Sequence, residues 1–211
     1  MRGRAAAGLA WVTALLLLAA APSAWALQLD ELMSLLRQTR SAEARFTEQR
    51  RVKGMDAPLV STGTLSFSAP DRFVRSTLTP KPEQMAVEGK IVTLSRNGRS
   101  RTMVVDAAPE MEAIVEAVRG TLTGNADSLK VHFTTGVSGN AEQWTLELLP
   151  IEPRLKVLLA SVRLSGRRGE LRQVEMRMAD GDSSTMAIET LSSVPAGAPA
   201  AGPPAAAASR P

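Results

Sequence analysis

The chain has 211 residues, with 25 Lys and Arg against 21 Asp and Glu, one His and no Cys. Without cysteine there is no disulfide staple, no cysteine-borne lipid and no zinc site of the usual ligand set, and scattered arginines with 3% aromatic residues offer no stacking surface for nucleic acid. Arg2 and Arg4 account for half of the formal charge of +4, so the rest of the chain is close to neutral.

Residues 1–26 have the three parts of a secretory signal peptide. Arg2 and Arg4 make the positive start, Trp11 to Ala21 the apolar middle with Leu15-Leu16-Leu17-Leu18, and Ala24-Trp25-Ala26 the small-residue exit after Pro22 and Ser23. The rival reading is a membrane anchor, because the apolar stretch nearly reaches the ~20 residues that span a bilayer. The A-x-A exit favours cleavage, which leaves a mature chain beginning at Leu27 and exported to the periplasm of a Gram-negative bacterium. Residues 195–211 are mostly Ala, Pro and Gly with Arg210 as the one charged side chain, a composition that cannot offset its own ordering entropy and reads as a disordered tail. The folded domain is therefore expected over 27–194, enough chain for one sizeable core.

The first element of that domain is a helix: Leu29, Leu32, Met33 and Leu36 fall at i, i+3, i+4, i+7, with Asp30 and Glu31 in the first turn. Short strand-like runs follow at about 45–52, 60–68, 71–78, 84–88, 91–95 and 100–105. Gly54, Pro58, Pro70, Pro80, Pro82 and Gly89 separate them, and Asn97-Gly98 is a two-residue hairpin signal. A second helix opens at Pro109 and is expected to close at Gly120, with the apolar stripe Met111, Ile114, Val115 and Val118. A short helical turn is expected near 126–129. Strand runs then resume at about 131–137, 142–149, 157–165, 170–178 and 184–190, joined by turns at Ser138-Gly139-Asn140, Gly166–Gly169 and Asp180-Gly181-Asp182.

Alternation sorts the later strands into two faces. Trp144, Leu146 and Leu148 oppose Gln143, Thr145 and Glu147; Leu158, Ala160, Val162 and Leu164 oppose Leu159, Ser161, Arg163 and Ser165; Val174, Met176 and Met178 oppose Gln173, Glu175 and Arg177. The fold class is thus α+β and mainly antiparallel β. About eleven strands divide six and five around one helix, and so long a sheet must curl under its own twist. Two amphipathic helices then bury their stripes on its concave face, giving a strongly bent sheet, a partial barrel plugged or lidded by helices.

The residues offer little to catalysis, and the chain is read as no enzyme. His132, the sole histidine, lies between Val131 and Phe133 and reads as a half-exposed strand residue rather than a base. Serines lack the G-x-S-x-G context of an activated nucleophile. Asp180-Gly181-Asp182 reads as a turn rather than a calcium loop. Glu110, Glu112 and Glu116 form the wet face of their helix, and no metal or cofactor is implied. What remains is apolar surface with methionines, which suits an adaptable cavity as well as an ordinary core.

Several segments, in this order and spacing, resemble the outer-membrane lipoprotein carrier (LolA-like) family over about Leu29 to Ile188. They are Ser41-Ala42-Glu43-Ala44-Arg45-Phe46-Thr47-Glu48-Gln49-Arg50, Gly63-Thr64-Leu65-Ser66-Phe67 through Ala69-Pro70-Asp71-Arg72-Phe73, Val87-Glu88-Gly89-Lys90-Ile91-Val92-Thr93-Leu94, and the turns around Gly166-Arg167-Arg168-Gly169 and Asp180-Gly181-Asp182. The resemblance implies an unclosed half-barrel, covered by helices, that holds acyl chains. Its expected acyl cavity and lid comprise Phe46, Leu65, Phe67, Phe73, Met111, Ile114, Val115 and Val118. It implies as partners a lipoprotein or other acylated lipid cargo, an inner-membrane donor transporter and an outer-membrane acceptor, served by a monomer. Members of the family often carry an Arg before the Pro of the second segment, where it latches the lid. That position is Ala69 here, and Arg72 and Arg75 are the candidates to take the latch's place. A second reading of the same fold is a lipid-responsive sensor.

Overall fold

A computed structural model describes residues 27–105 and 109–197, with the backbone alone at 109–111. The expected signal peptide, all but the first residues of the expected tail, and the Met111 side chain lie outside the described residues.

Helix α1 (Leu29–Leu36) opens the domain with a capping box between Gln28 and Glu31, and it buries Leu32, Met33 and Leu36. Six strands follow: β1 (Thr39–Arg51), β2 (Leu59–Ser68), β3 (Arg72–Thr79), β4 (Glu83–Glu88), β5 (Ile91–Arg96) and β6 (Arg99–Val104). Helices α2 (Pro109–Thr123) and α3 (Ala126–His132) lead to β7 (Phe133–Asn140) and β8 (Gln143–Pro150). The short α4 (Pro153–Lys156) precedes β9 (Leu159–Arg167), β10 (Glu170–Met178) and β11 (Ser183–Pro195). All eleven strands form one unclosed antiparallel sheet in the order β6-β5-β4-β3-β2-β1-β11-β10-β9-β8-β7, so the sheet centre pairs the first strand with the last. Just past β11, the Ala196 N–H donates to the Gln38 carbonyl at 2.7 Å.

Turn chemistry accounts for the hairpins. Asn97 and Gly98 both have positive φ, 52° and 72°, as a two-residue turn between β5 and β6 requires. Gly63 and Gly166 answer a different need. A Cβ at Gly63 would lie 2.0 Å from the Ser76 carbonyl oxygen and 2.8 Å from the Phe46 ring, and one at Gly166 would lie 2.4 Å from the Trp144 ring. Each glycine makes room for an aromatic ring laid across its strand.

The core forms two clusters on one face of the sheet. The larger packs α1, α3, α4 and the small-residue side of α2 (Ala113, Ala117) onto Phe133, Trp144, Leu146, Leu148, Leu159, Val162 and Leu164. The smaller joins Val115 of α2 to Val87, Val92 and Val105, with Phe73, Met85, Leu94 and Met103 at its margin. The expected alternation of β8 and β10 holds: Trp144, Leu146 and Leu148 are fully buried, and Val174, Met176 and Met178 pack against the same cluster.

Three expectations are corrected, and one short helix had no counterpart in the sequence reading. Leu158 does not share a face with Val162: Ala160 is an extra residue in the β9–β10 pairing, which returns Leu159 to the core side and leaves Leu158 exposed. His132 ends α3 rather than sitting in a strand, and its Nδ1 lies 2.8 Å from the Glu152 carboxylate. The segment 153–156 is helical, started by Pro153 at its first position. Helix α2 passes through Gly120 and ends before Gly124, whose φ is +64°. Gly120 is buried where a Cβ would strike Leu129 and Ser128, so it serves close helix packing rather than termination.

Candidate functional site: an apolar pocket beneath helix α2

Alternation along β1–β6 places every second side chain on the face that α2 covers. Phe67 of β2, Phe73 of β3, and Met85 and Val87 of β4 lie on this face and, with Ile114, Val115, Val118 and Leu122 of α2, wall an apolar pocket. Asp71, Arg72 and Arg119 complete its lining. The pocket is about 60 Å³, against roughly 300–1,000 Å³ for clefts that enclose drug-sized ligands. As it stands, the pocket is too small to enclose a long hydrocarbon chain.

Helix α2 is held at two places. Its C-terminal end is fixed where the Arg37 guanidinium donates to the carbonyls of Met33, at 3.3 Å, and Gly124, at 3.2 Å. There Gly124 approaches α1 so closely that a Cβ would sit 2.1 Å from the Met33 carbonyl oxygen. Nearer its middle, Arg119 donates to the Gly89 carbonyl in the β4–β5 turn, and Glu116 holds that guanidinium from one turn earlier at 2.6 Å.

Of the residues expected to line the cavity, Phe67, Phe73, Ile114, Val115 and Val118 meet at this pocket, and Arg72 stands at its rim. Phe46 and Leu65 belong to the same sheet face but lie further along it, Phe46 buried beside Gly63 and Leu65 half-buried opposite Ala44. Arg75 pairs with Glu48 on the sheet, whereas Arg119 reaches from α2 to the sheet. Met85, Val87 and Leu122 escaped the sequence reading. Leu122 continues the α2 stripe at i+4 from Val118 and would have been found had the helix not been ended at Gly120. Met85 and Val87 carried the strand alternation that should have placed them beside Phe73.

The Glu48 cluster is the most elaborate polar group on the covered face. Its carboxylate accepts from the hydroxyls of Ser61 (3.3 Å) and Ser184 and from the guanidinium of Arg75, which also stacks 4.7 Å over the Phe46 ring. Burial pushes the Glu48 carboxyl upward, but the Ser184 hydroxyl, the Arg75 charge and the Ser61 hydroxyl together hold it below the usual carboxylate range. Asp182 titrates low for a different reason: the Lys53 backbone N–H and the Arg50 guanidinium both donate to it across the end of the sheet, at 2.9 and 3.2 Å. No group of three or more His, Asp or Glu side chains arranged to hold a metal occurs among the described residues.

The sequence profile of the family described as outer membrane lipoprotein carrier protein LolA-like matches residues 19–210. The outer-membrane lipoprotein carrier protein of Cupriavidus pinatubonensis is 26% identical over 180 residues, covering 82% of this chain and 81% of that protein. Among solved structures, a LolA superfamily protein of Nitrosomonas europaea superposes over 77% of this chain and 92% of its own, with TM-score 0.40 and 8% identity. The MucA/MucB complex of Pseudomonas aeruginosa matches over 79% of this chain and 58% of its own, with TM-score 0.43 and 12% identity.

Proposed function

The chain belongs to the LolA-like outer-membrane lipoprotein carrier family, and from that premise we propose that it is a periplasmic carrier of acylated cargo. Its leader, residues 1–26, exports it and is removed. In the periplasm it takes the acyl chains of a lipoprotein or other acylated lipid from an inner-membrane donor, holds them on its concave face beneath α2, and gives them up to an outer-membrane acceptor.

The observation that carries this reading is the apolar pocket between α2 and β2–β4. Each methylene moved there from water contributes about 0.8 kcal/mol, so a long chain binds firmly through burial alone. Release demands the opposite: across the pocket the polar tie from α2 to the sheet is Arg119 to the Gly89 carbonyl, while the C-terminal end of the helix stays anchored to α1. Opening at that side parts Val115 from the smaller cluster, and aliphatic and Met side chains repack around whatever is left behind. The chemistry asked of the site is burial, which its walls provide without any reactive group.

Native mass spectrometry of the protein isolated from a periplasmic fraction tests the proposal. A complex heavier than the apoprotein by the mass of an acylated molecule is expected. Protein that is always recovered without an adduct, and that binds no fluorescent acyl probe when purified, would overturn it.

A further inference from the structure

Arg75 lies on the same sheet face as the pocket, two residues along β3 from Phe73 and opposite Leu65 and Met85. It is an expensive group to keep there. Its side chain is only 27% exposed and that of its partner Glu48 15%, and half-buried ion pairs recover their desolvation cost only when their remaining polar atoms are satisfied. Glu48 is satisfied, by two serines and the arginine. Arg75 is not: its Nε is buried and has no acceptor among the described residues. Folding alone gives no reason for that vacancy in its hydrogen bonding, because an apolar side chain at this position would cover Phe46 without leaving a donor unmet.

We propose that the Arg75–Glu48 pair recognises the head of the acyl chain, with the Arg75 guanidinium donating to a neutral acyl carbonyl oxygen, that of an ester or amide, while the hydrocarbon runs past Phe73 and Met85 beneath α2. The proposal rests on the carrier reading and names the chemistry of the cargo's polar end. The charge of the pair decides between carbonyl and carboxylate. Glu48, held ionised by its three donors, cancels the arginine's charge, so a free carboxylate meets no net positive field and is repelled by Glu48 at close range. A neutral carbonyl suffers neither penalty and still gains a hydrogen bond from a charged donor. The site is therefore suited to acyl groups already linked to a carrier molecule and discriminates against free fatty acids.

Displacement of a bound fluorescent acyl probe by hexadecane, methyl hexadecanoate and hexadecanoic acid tests this. The wild type should be displaced best by the ester, about tenfold better than by the alkane after allowing for aqueous solubility. The double variant Arg75→Met with Glu48→Gln leaves no unpaired charge and should bind the alkane unchanged while losing the preference for the ester. Arg75→Lys, which keeps Glu48 paired but has no Nε–H, should lose most of the preference as well, and its melting curve shows that the fold is intact. An ester preference that survives in both variants overturns the proposal, as does a wild type that favours the free acid. A wild type that releases probe to all three equally also overturns it and leaves the carrier reading standing. Failure of every ligand to displace any probe overturns the carrier reading itself.

Discussion

Arg119 of α2 donates to the carbonyl oxygen of Gly89 in the β4–β5 turn, so one side chain ties the helix to the sheet beside the pocket that both line. The guanidinium is steadied by Glu116 on the same helix. If this contact is a latch, Arg119→Ala should speed both uptake and release of an acyl probe several-fold in stopped-flow measurements and cost only about 1 kcal/mol of stability. Unchanged rates together with a large fall in the denaturant midpoint would make Arg119 a structural strut instead.

Helix α2 should also tolerate truncation on its pocket side better than the large core does. Leu146 is fully buried in the main cluster, and Leu146→Ala should cost ~2–5 kcal/mol. Leu122 lines a pocket that already has space, so Leu122→Ala should cost less and shift which acyl chain length binds best. Ile114→Asp should abolish probe binding by placing a charge in that pocket. Denaturant unfolding and probe binding measured on the same variants separate lid from core. Equal losses for Leu122→Ala and Leu146→Ala would show that α2 is ordinary core.

Gly63 and Gly166 should both resist replacement. Gly63→Ala puts a methyl group 2.0 Å from the Ser76 carbonyl oxygen, and Gly166→Ala puts one 2.4 Å from the Trp144 ring. At Gly166 the Glu170 carbonyl oxygen would be closer still, at 2.1 Å, so backbone and a buried ring must both shift in each case, and each substitution should cost ~1–3 kcal/mol. Near-ultraviolet circular dichroism of Gly166→Ala should also lose the signal of the immobilised Trp144. Retention of both signal and stability would disprove the packing argument.

Acid should weaken the fold through two named carboxyls. Glu48 and Asp182 both titrate below their ordinary values in the folded chain, so the unfolded chain binds more protons than the folded one below about pH 5. Their contribution is fully present above the unfolded value and is lost as pH falls through the folded one. Glu48→Gln should lower stability at neutral pH and flatten its decline between about pH 5 and pH 3. A wild-type and variant pair with parallel pH profiles would rule Glu48 out as a source of the acid sensitivity.

The mature chain should begin at Leu27, which is buried and whose N–H donates to the Gly139 carbonyl at 3.2 Å. N-terminal sequencing of protein from a periplasmic fraction checks this, and an intact Met1 in the membrane fraction would replace the carrier with an anchored protein.

Periodicity is a local property, and what depends on it was legible in the sequence. The six-plus-five strands, the Asn97-Gly98 turn, the buried face of Trp144, Leu146 and Leu148, and the α2 stripe all follow from spacing within one segment. So does the helical wall of the pocket, Ile114, Val115 and Val118, whereas Phe67 and Phe73 were reached through the family resemblance. Where local signals conflict, the sequence misleads: Gly120 looks like a stop and is a packing contact, and one extra residue at Ala160 reverses the faces of Leu158 and Leu159. Pairings between distant segments were decided only by the tertiary structure. Glu48 meets Ser61 and Arg75, which lie 13 and 27 residues away, but also Ser184, 136 residues away. Arg119 finds Gly89 rather than an acidic partner on the sheet. Such meetings depend on the register of eleven strands and on the pairing of β1 with β11 at the sheet centre. Those are set by the summed packing of the whole sheet, which no single segment encodes.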